Sequence, residues 1–299
     1  MHEVFAAVRL WQLMQRMGLK RHAKVNGERL FGRTRWNEVI GAVDWELDER
    51  EQLLQFAFAV LHSGKFFDDP SDDVRTISNM EMATIVYVDE QLPKMDNWPI
   101  WVADKKDPNC LVGVEQVFDV VLYYEDGRAI RFAGTIDGLV LDLHRGGRPT
   151  LDENKTASRL DDGWIMSFDM SHQVTGYLTA ASTYFGFGIA HSRIQGLKVK
   201  PSGRGDDKYV KVVSRTADSV RTWAAWFRHT VELFEAYKDD WEHAPRYTHS
   251  CNRYFRPCSL VQFCGDTPDG RIEQWASMEK PPGSPTEQAI AGERSVREL

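Results

Sequence analysis

Asp137 is a carboxylate set in a stretch that otherwise belongs in a core. It closes an apolar, strand-like run and is followed at once by Gly138-Leu-Val-Leu. Sixteen residues further on stands Glu153-Asn-Lys155-Thr156. Successive side chains of a strand alternate between faces, so Glu153 and Lys155 point the same way. One strand then offers an anion and a cation side by side, and its neighbour offers a second anion. Two carboxylates converging on one point make a hard-cation site, and a lysine beside it can hold or deprotonate a water. A third block, Gln173-Val-Thr-Gly-Tyr177, falls in a helical pattern that puts Gln173 and Tyr177 on one face, a turn apart.

The pattern around these blocks predicts an α+β order. Apolar side chains recur at helical spacing over 4–19, from Phe5 to Met17, and the run stops at Gly18. A second helix is expected over 36–62, with Asp48-Glu-Arg-Glu51 near its middle or at a break. Phe66 to Asp73 reads as a turn-rich loop, 78–92 as a helix capped by Ser78 or Asn79, and 93–108 as irregular chain. Short strands follow at 112–124, 128–136, 138–144 and 150–155, divided by Glu-Asp-Gly and Gly-Gly turns. Helix returns at 170–185, then a strand at 189–199 and an amphipathic helix at 216–239. There is no internal repeat. The expected divisions are an N-terminal helical region (1–109), a core (110–245), a cysteine-containing segment (246–279) and a polar, proline-rich, mobile tail (280–299).

A chain of 299 residues with 42% apolar and 27% charged side chains has the material for a full core. No apolar stretch approaches the about 18 residues of a membrane helix. The N-terminus lacks a signal-peptide pattern, so the expected location is the cytoplasm, or the host-cell interior for a phage-encoded chain. The net charge of −7 excludes a uniformly basic protein. Residues 1–40 nevertheless hold eight Lys and Arg against three Glu. That excess reads either as a surface steering a polyanion or as an ordinary solvated helix face. No Gly-x-x-x-x-Gly-Lys-Ser/Thr loop is present, so an ATP-driven motor would have to be a separate partner.

With Gly134-x-Ile136-Asp137, Glu153-x-Lys155 and Gln173-x-x-x-Tyr177 standing in order, the chain resembles the PD-(D/E)XK nuclease superfamily, in its RecB-like branch. That branch includes helicase-linked recombination nucleases, CRISPR-adaptation nucleases and small phage exonucleases. The resemblance spans about residues 1–265 and is dense over 110–180. It implies a restriction-endonuclease-like core, a mixed central sheet flanked by helices. It also implies a Mg2+- or Mn2+-dependent deoxyribonuclease, an exonuclease acting in DNA processing or recombination. A separate helicase, recombinase or single-strand-binding protein is an implied partner, and no membrane is. Asp137 and Glu153 would ligate the metal with the Asn154 carbonyl, and Lys155 would orient water and stabilise the scissile phosphate. Gln173 and Tyr177 would line the cleft, with Thr156 beside them on the nucleic acid. Glu115, an acid on the first strand, would help hold a second ion. The histidine usual on an early helix of the branch is missing after Phe31-Gly32, where Asn37 would substitute; His62 lies too far along. Two other readings stay open: a non-catalytic nucleic-acid-binding module on the same fold, and a structure- or site-specific endonuclease.

Cys251, Cys258 and Cys264 fall within fourteen residues, and Cys110 stands far upstream. Thiolates gathered like this in a reducing compartment suit metal better than disulfides. Some members of the branch hold a [4Fe-4S] cluster on one upstream cysteine and three C-terminal ones. Cys258-x5-Cys264 matches the end of that pattern, but the first helix carries no cysteine. A cluster through Cys110, a zinc site completed by His249, and four free thiols all remain open.

Overall fold

The computed structural model describes residues 1–64, 76–199 and 207–238. Residues Met1–Val220 form one compact unit, and a second begins at Arg221. Chain order is helical first: α1 (His2–Trp11) with a π-helical extension (Gln12–Arg16), α2 (Lys20–Phe31), α3 (Arg33–Gly41), α4 (Glu49–Ser63) and α5 (Ile77–Gln91). Then come β1 (Val114–Glu125), β2 (Arg128–Asp142), β3 (Arg148–Ala157), α6 (Asp162–Met166), α7 (His172–Phe185), β4 (His191–Lys198), β5 (Lys208–Ser214) and α8 (Ala217–Tyr237). The protein is α+β, with a five-stranded mixed sheet in the order β1-β2-β3-β4-β5.

β1, β2 and β3 form an antiparallel meander, β4 lies parallel to β3, and β5 returns antiparallel. The parallel step needs a crossover, and α7 supplies it. Apolar burial proceeds on both faces of the sheet. On one face Val112, Val114, Val140 and Leu197 pack with Phe5, Leu10, Trp11, Phe56 and Val88 of the helices. On the other, Phe118, Ile136, Leu139, Leu151 and Ile194 pack with Val174, Leu178 and Ala181 of α7. Residues Val4 to Trp11 are all buried, so α1 is a central helix enclosed all round. Arg9 is the charged residue of that buried run.

Several boundaries differ from the sequence reading. The expected helix over 36–62 is two helices, parted at 42–48. Asp48 caps the second by accepting from the Glu51 N–H, so the acidic run marks the break. α2 was not anticipated: its apolar positions are sparse, and burial falls on His22, Ala23, Asn26, Gly27 and Phe31. The cap of α5 is Thr76, which accepts from Asn79 N–H at 3.2 Å, in place of Ser78 or Asn79. The two strands expected at 128–136 and 138–144 are one, running through Gly138. β5 adds a strand the sequence reading left out. The 66–73 loop, the 246–279 segment and the 280–299 tail lie outside the described residues.

Most of the N-terminal basic residues are already engaged. Arg16 pairs with Glu49 and Asp96, Arg35 with Glu3, and Lys24 and Arg33 with Glu28. This favours the solvated-face reading over a free anion-steering patch.

Candidate metal centre

The sheet changes character at one level. β1 pairs with β2 at Val114↔Gly138 and again at Gln116↔Ile136, which leaves Glu115 and Asp137 opposite one another between those pairs. Glu115 there has φ +44°, in the left-handed region. β2 and β3 pair from Asp142↔Arg148 to Leu139↔Leu151 and no further. Two residues on in each strand, Asp137 and Glu153 stand level. Three acids thus occupy one row across three adjacent strands. Like charges directly opposite oppose pairing, and on both sides of Asp137 the ladder is interrupted.

Two groups fill the interruption. The Asn154 N–H donates to Asp137 Oδ2 at 2.9 Å. From the helical face the Arg9 guanidinium donates to Asp137 O at 2.8 Å, Asp152 O at 3.0 Å and Asp152 Oδ2 at 3.1 Å. It satisfies carbonyls that the ladder leaves unpaired. Gly138 makes the room, since a Cβ there would stand 2.7 Å from Arg9 Nε. Asp152 also accepts from Arg193 Nε at 2.7 Å and Gln195 Nε2 at 2.8 Å. Burial alone would raise the Asp152 pKa, but Arg193 and Arg9 hold it below the usual carboxylate range. Burial likewise opposes the Arg9 charge, and Asp152, together with Tyr87, Asp137 and Glu115, more than restores it.

Asp137 and Glu153 are only 6% and 4% exposed. Lys155, on the same face of β3 as Glu153, places Nζ 2.5 Å from Glu153 Oε1. Gln173 Nε2 on α7 lies 3.5 Å from the same oxygen. Burial, then the Asp137 charge, pushes the Glu153 pKa up to about 7 against the pull of Lys155. Burial also pushes Glu115 up to about 8, with Asp137 and Glu153 adding to it and Arg9 opposing. Burial would lower the Lys155 pKa, but Glu153 outweighs it and the ammonium is held above its ordinary value. Without a metal, Lys155 is thus held as an ammonium against Glu153.

Among the candidates read from sequence, Asp137, Glu153, Lys155 and Gln173 come together, and Glu115 joins their row. Tyr177 is half-buried; its ring packs edge-on to Phe118 at 5.8 Å, and a Gly134 Cβ would touch both rings. That position is largely a packing role, with the phenol held to Gln173. Thr156 is exposed and, by strand alternation, on the opposite face from Lys155, so it is not gathered with them. The Asn154 side chain points to that face too, and both its polar atoms are buried without a hydrogen-bond partner among the described residues. Asn37 is exposed on α3. The histidine beside the acids is instead His2, with Nδ1 3.8 Å from Asp137 Oδ1 and a side chain 72% exposed. Sequence reasoning passed over it; the only local signal was its place at the head of the first helix. Cys110 Sγ is tied locally, donating to Asp104 O at 3.1 Å. Cys251, Cys258 and Cys264 lie outside the described residues.

The donor set fits a hard divalent cation. The oxygens are carboxylate, buried and crowded by like charge, and Glu115 Oε1 has no hydrogen-bond partner among the described residues. Within those residues no three His, Cys, Asp or Glu side chains converge closely enough to enclose an ion by themselves. Water, backbone or substrate oxygens would complete the shell, as Mg2+ usually requires. No helix of the described residues is long and apolar enough to cross a membrane. No protein-family model matches the chain, and no curated protein matches it.

Proposed function

We propose that the protein is a Mg2+- or Mn2+-dependent deoxyribonuclease with a restriction-endonuclease-like core, acting on DNA ends or single strands. The observation that carries the reading is the meeting of Asp137, Glu153 and Lys155 where the β1–β3 ladders are interrupted. A meander followed by a helical crossover to a parallel strand supports the same reading.

Asp137 and Glu153 would hold the ion, with the Asn154 carbonyl as a further oxygen. When bound, it would neutralise phosphoryl charge and acidify an attacking water. Lys155 Nζ, charged and braced by Glu153, would meet the phosphate oxygens and stabilise the charge that grows there. Gln173, reaching Glu153 from the first turn of α7, would orient that carboxylate. Arg9 positions Asp137 and Asp152 from below and takes no part in bond breaking.

The test incubates linear duplex, closed circular and single-stranded DNA with Mn2+, using wild type and Lys155→Ala. Linear or single-stranded DNA should be degraded and circles spared, with Lys155→Ala slower by roughly 100-fold or more. Binding without cleavage by wild type would point to a non-catalytic nucleic-acid-binding module, and cutting of closed circles to an endonuclease.

A further inference from the structure

We propose that this site takes one divalent ion and not two, because the Arg9 guanidinium holds the ground on the Glu115 side that a second ion would need. The inference deepens the metal-dependent reading above and rests on it. Glu115 Oε1 is buried and has no hydrogen-bond partner among the described residues, which by itself invites a cation. The cation beside it is already part of the chain: Arg9 Nη1 stands 3.6 Å away. Arg9 is 2% exposed and donates to Asp137 O, Asp152 O and Asp152 Oδ2, so it cannot swing aside. An ion on Glu115 Oε1 would sit about 2.1 Å from that oxygen. It would then lie within about 6 Å of Arg9 Nη1, where like charges repel strongly in a site shielded from water.

The experiment counts Mn2+ bound to the full chain by calorimetry and electron paramagnetic resonance, free and with a phosphorothioate oligonucleotide that resists cleavage. Wild type, Glu115→Gln and Asp137→Asn are compared, so that any ion held elsewhere is subtracted. One Mn2+ lost in Asp137→Asn is expected, with an uncoupled spectrum. Glu115→Gln should keep it, with affinity changed by less than the roughly tenfold that loss of a ligand's partner costs. Two spin-coupled Mn2+ ions, one of them lost in Glu115→Gln, would overturn the inference while leaving the nuclease reading intact. Equal binding by wild type and Asp137→Asn, or none by either, would overturn both.

Discussion

Replacing Arg9 by methionine should unfasten the two strands that carry the candidate site. Methionine keeps most of the aliphatic volume and removes the guanidinium. Two backbone carbonyls, Asp137 O and Asp152 O, and one carboxylate oxygen, Asp152 Oδ2, then lose their donor in a region closed to water. Truncating one partner of a buried ion pair costs about 3–5 kcal/mol. Asp152 keeps Arg193 and Gln195 on its other oxygen, which holds the pair loss to the lower part of that range. Each orphaned carbonyl adds about 1 kcal/mol or more. The sum is about 5 kcal/mol, and for a unit of this size it lowers Tm by roughly 10–20 °C. Urea and thermal melts followed by circular dichroism would measure it. Arg9→Lys should recover less than half, because an ammonium cannot span three acceptors set for a planar fork. Arg16→Met, which breaks an exposed pair with Glu49 and Asp96, is the control and should cost about 1 kcal/mol or less. If Arg9→Met cost no more than that control, the guanidinium would not be what bridges β2 and β3.

Further outcomes follow from the same geometry. Glu115 and Glu153 have folded pKa values raised to about 8 and about 7 from 4.5, so the folded chain retains protons that the unfolded chain has released. Their contribution to metal-free stability is therefore full below pH 4.5 and is lost as pH rises through 7 and 8, by about 5 kcal/mol for Glu115 alone. Mn2+ should relieve this charge, raising Tm more at pH 8 than at pH 5.5; equal shifts at the two pH values would count against carboxylate ligation. Gly138→Ala places a Cβ 2.7 Å from Arg9 Nε, and should lower stability by about 1–3 kcal/mol as the guanidinium is displaced. A melt unchanged from wild type would show that Arg9 can yield. His2→Ala should weaken Mn2+ binding by about tenfold or less, since the ring is exposed and 3.8 Å from Asp137. Unaltered affinity in calorimetry would make the histidine a bystander.

Glu153 and Lys155 share a face because strand periodicity is two, and the same rule turns Thr156 away from them, against the expectation that it would stand in the site. Gln173 begins α7 close to Glu153, as a helical block following the third strand should. The break inside 36–62 was harder, because its apolar positions continue on both sides and only the capping role of Asp48 marks it. β5 was missed because its alternating residues, Lys208 to Ser214, matter only once β4 offers them an edge.

By itself the sequence determined that two carboxylates and a lysine would sit on neighbouring strands and that helices would flank an α+β sheet. Both follow from rules acting over a few residues. Only the tertiary structure decided that Glu115 joins Asp137 and Glu153 in one row, that His2 stands beside Asp137, and that Arg9 crosses 128 positions of sequence to hold the strands where their ladder fails. Strand register and the aim of a buried helix are set by which apolar faces close on one another across the whole core. No short stretch of sequence carries that information.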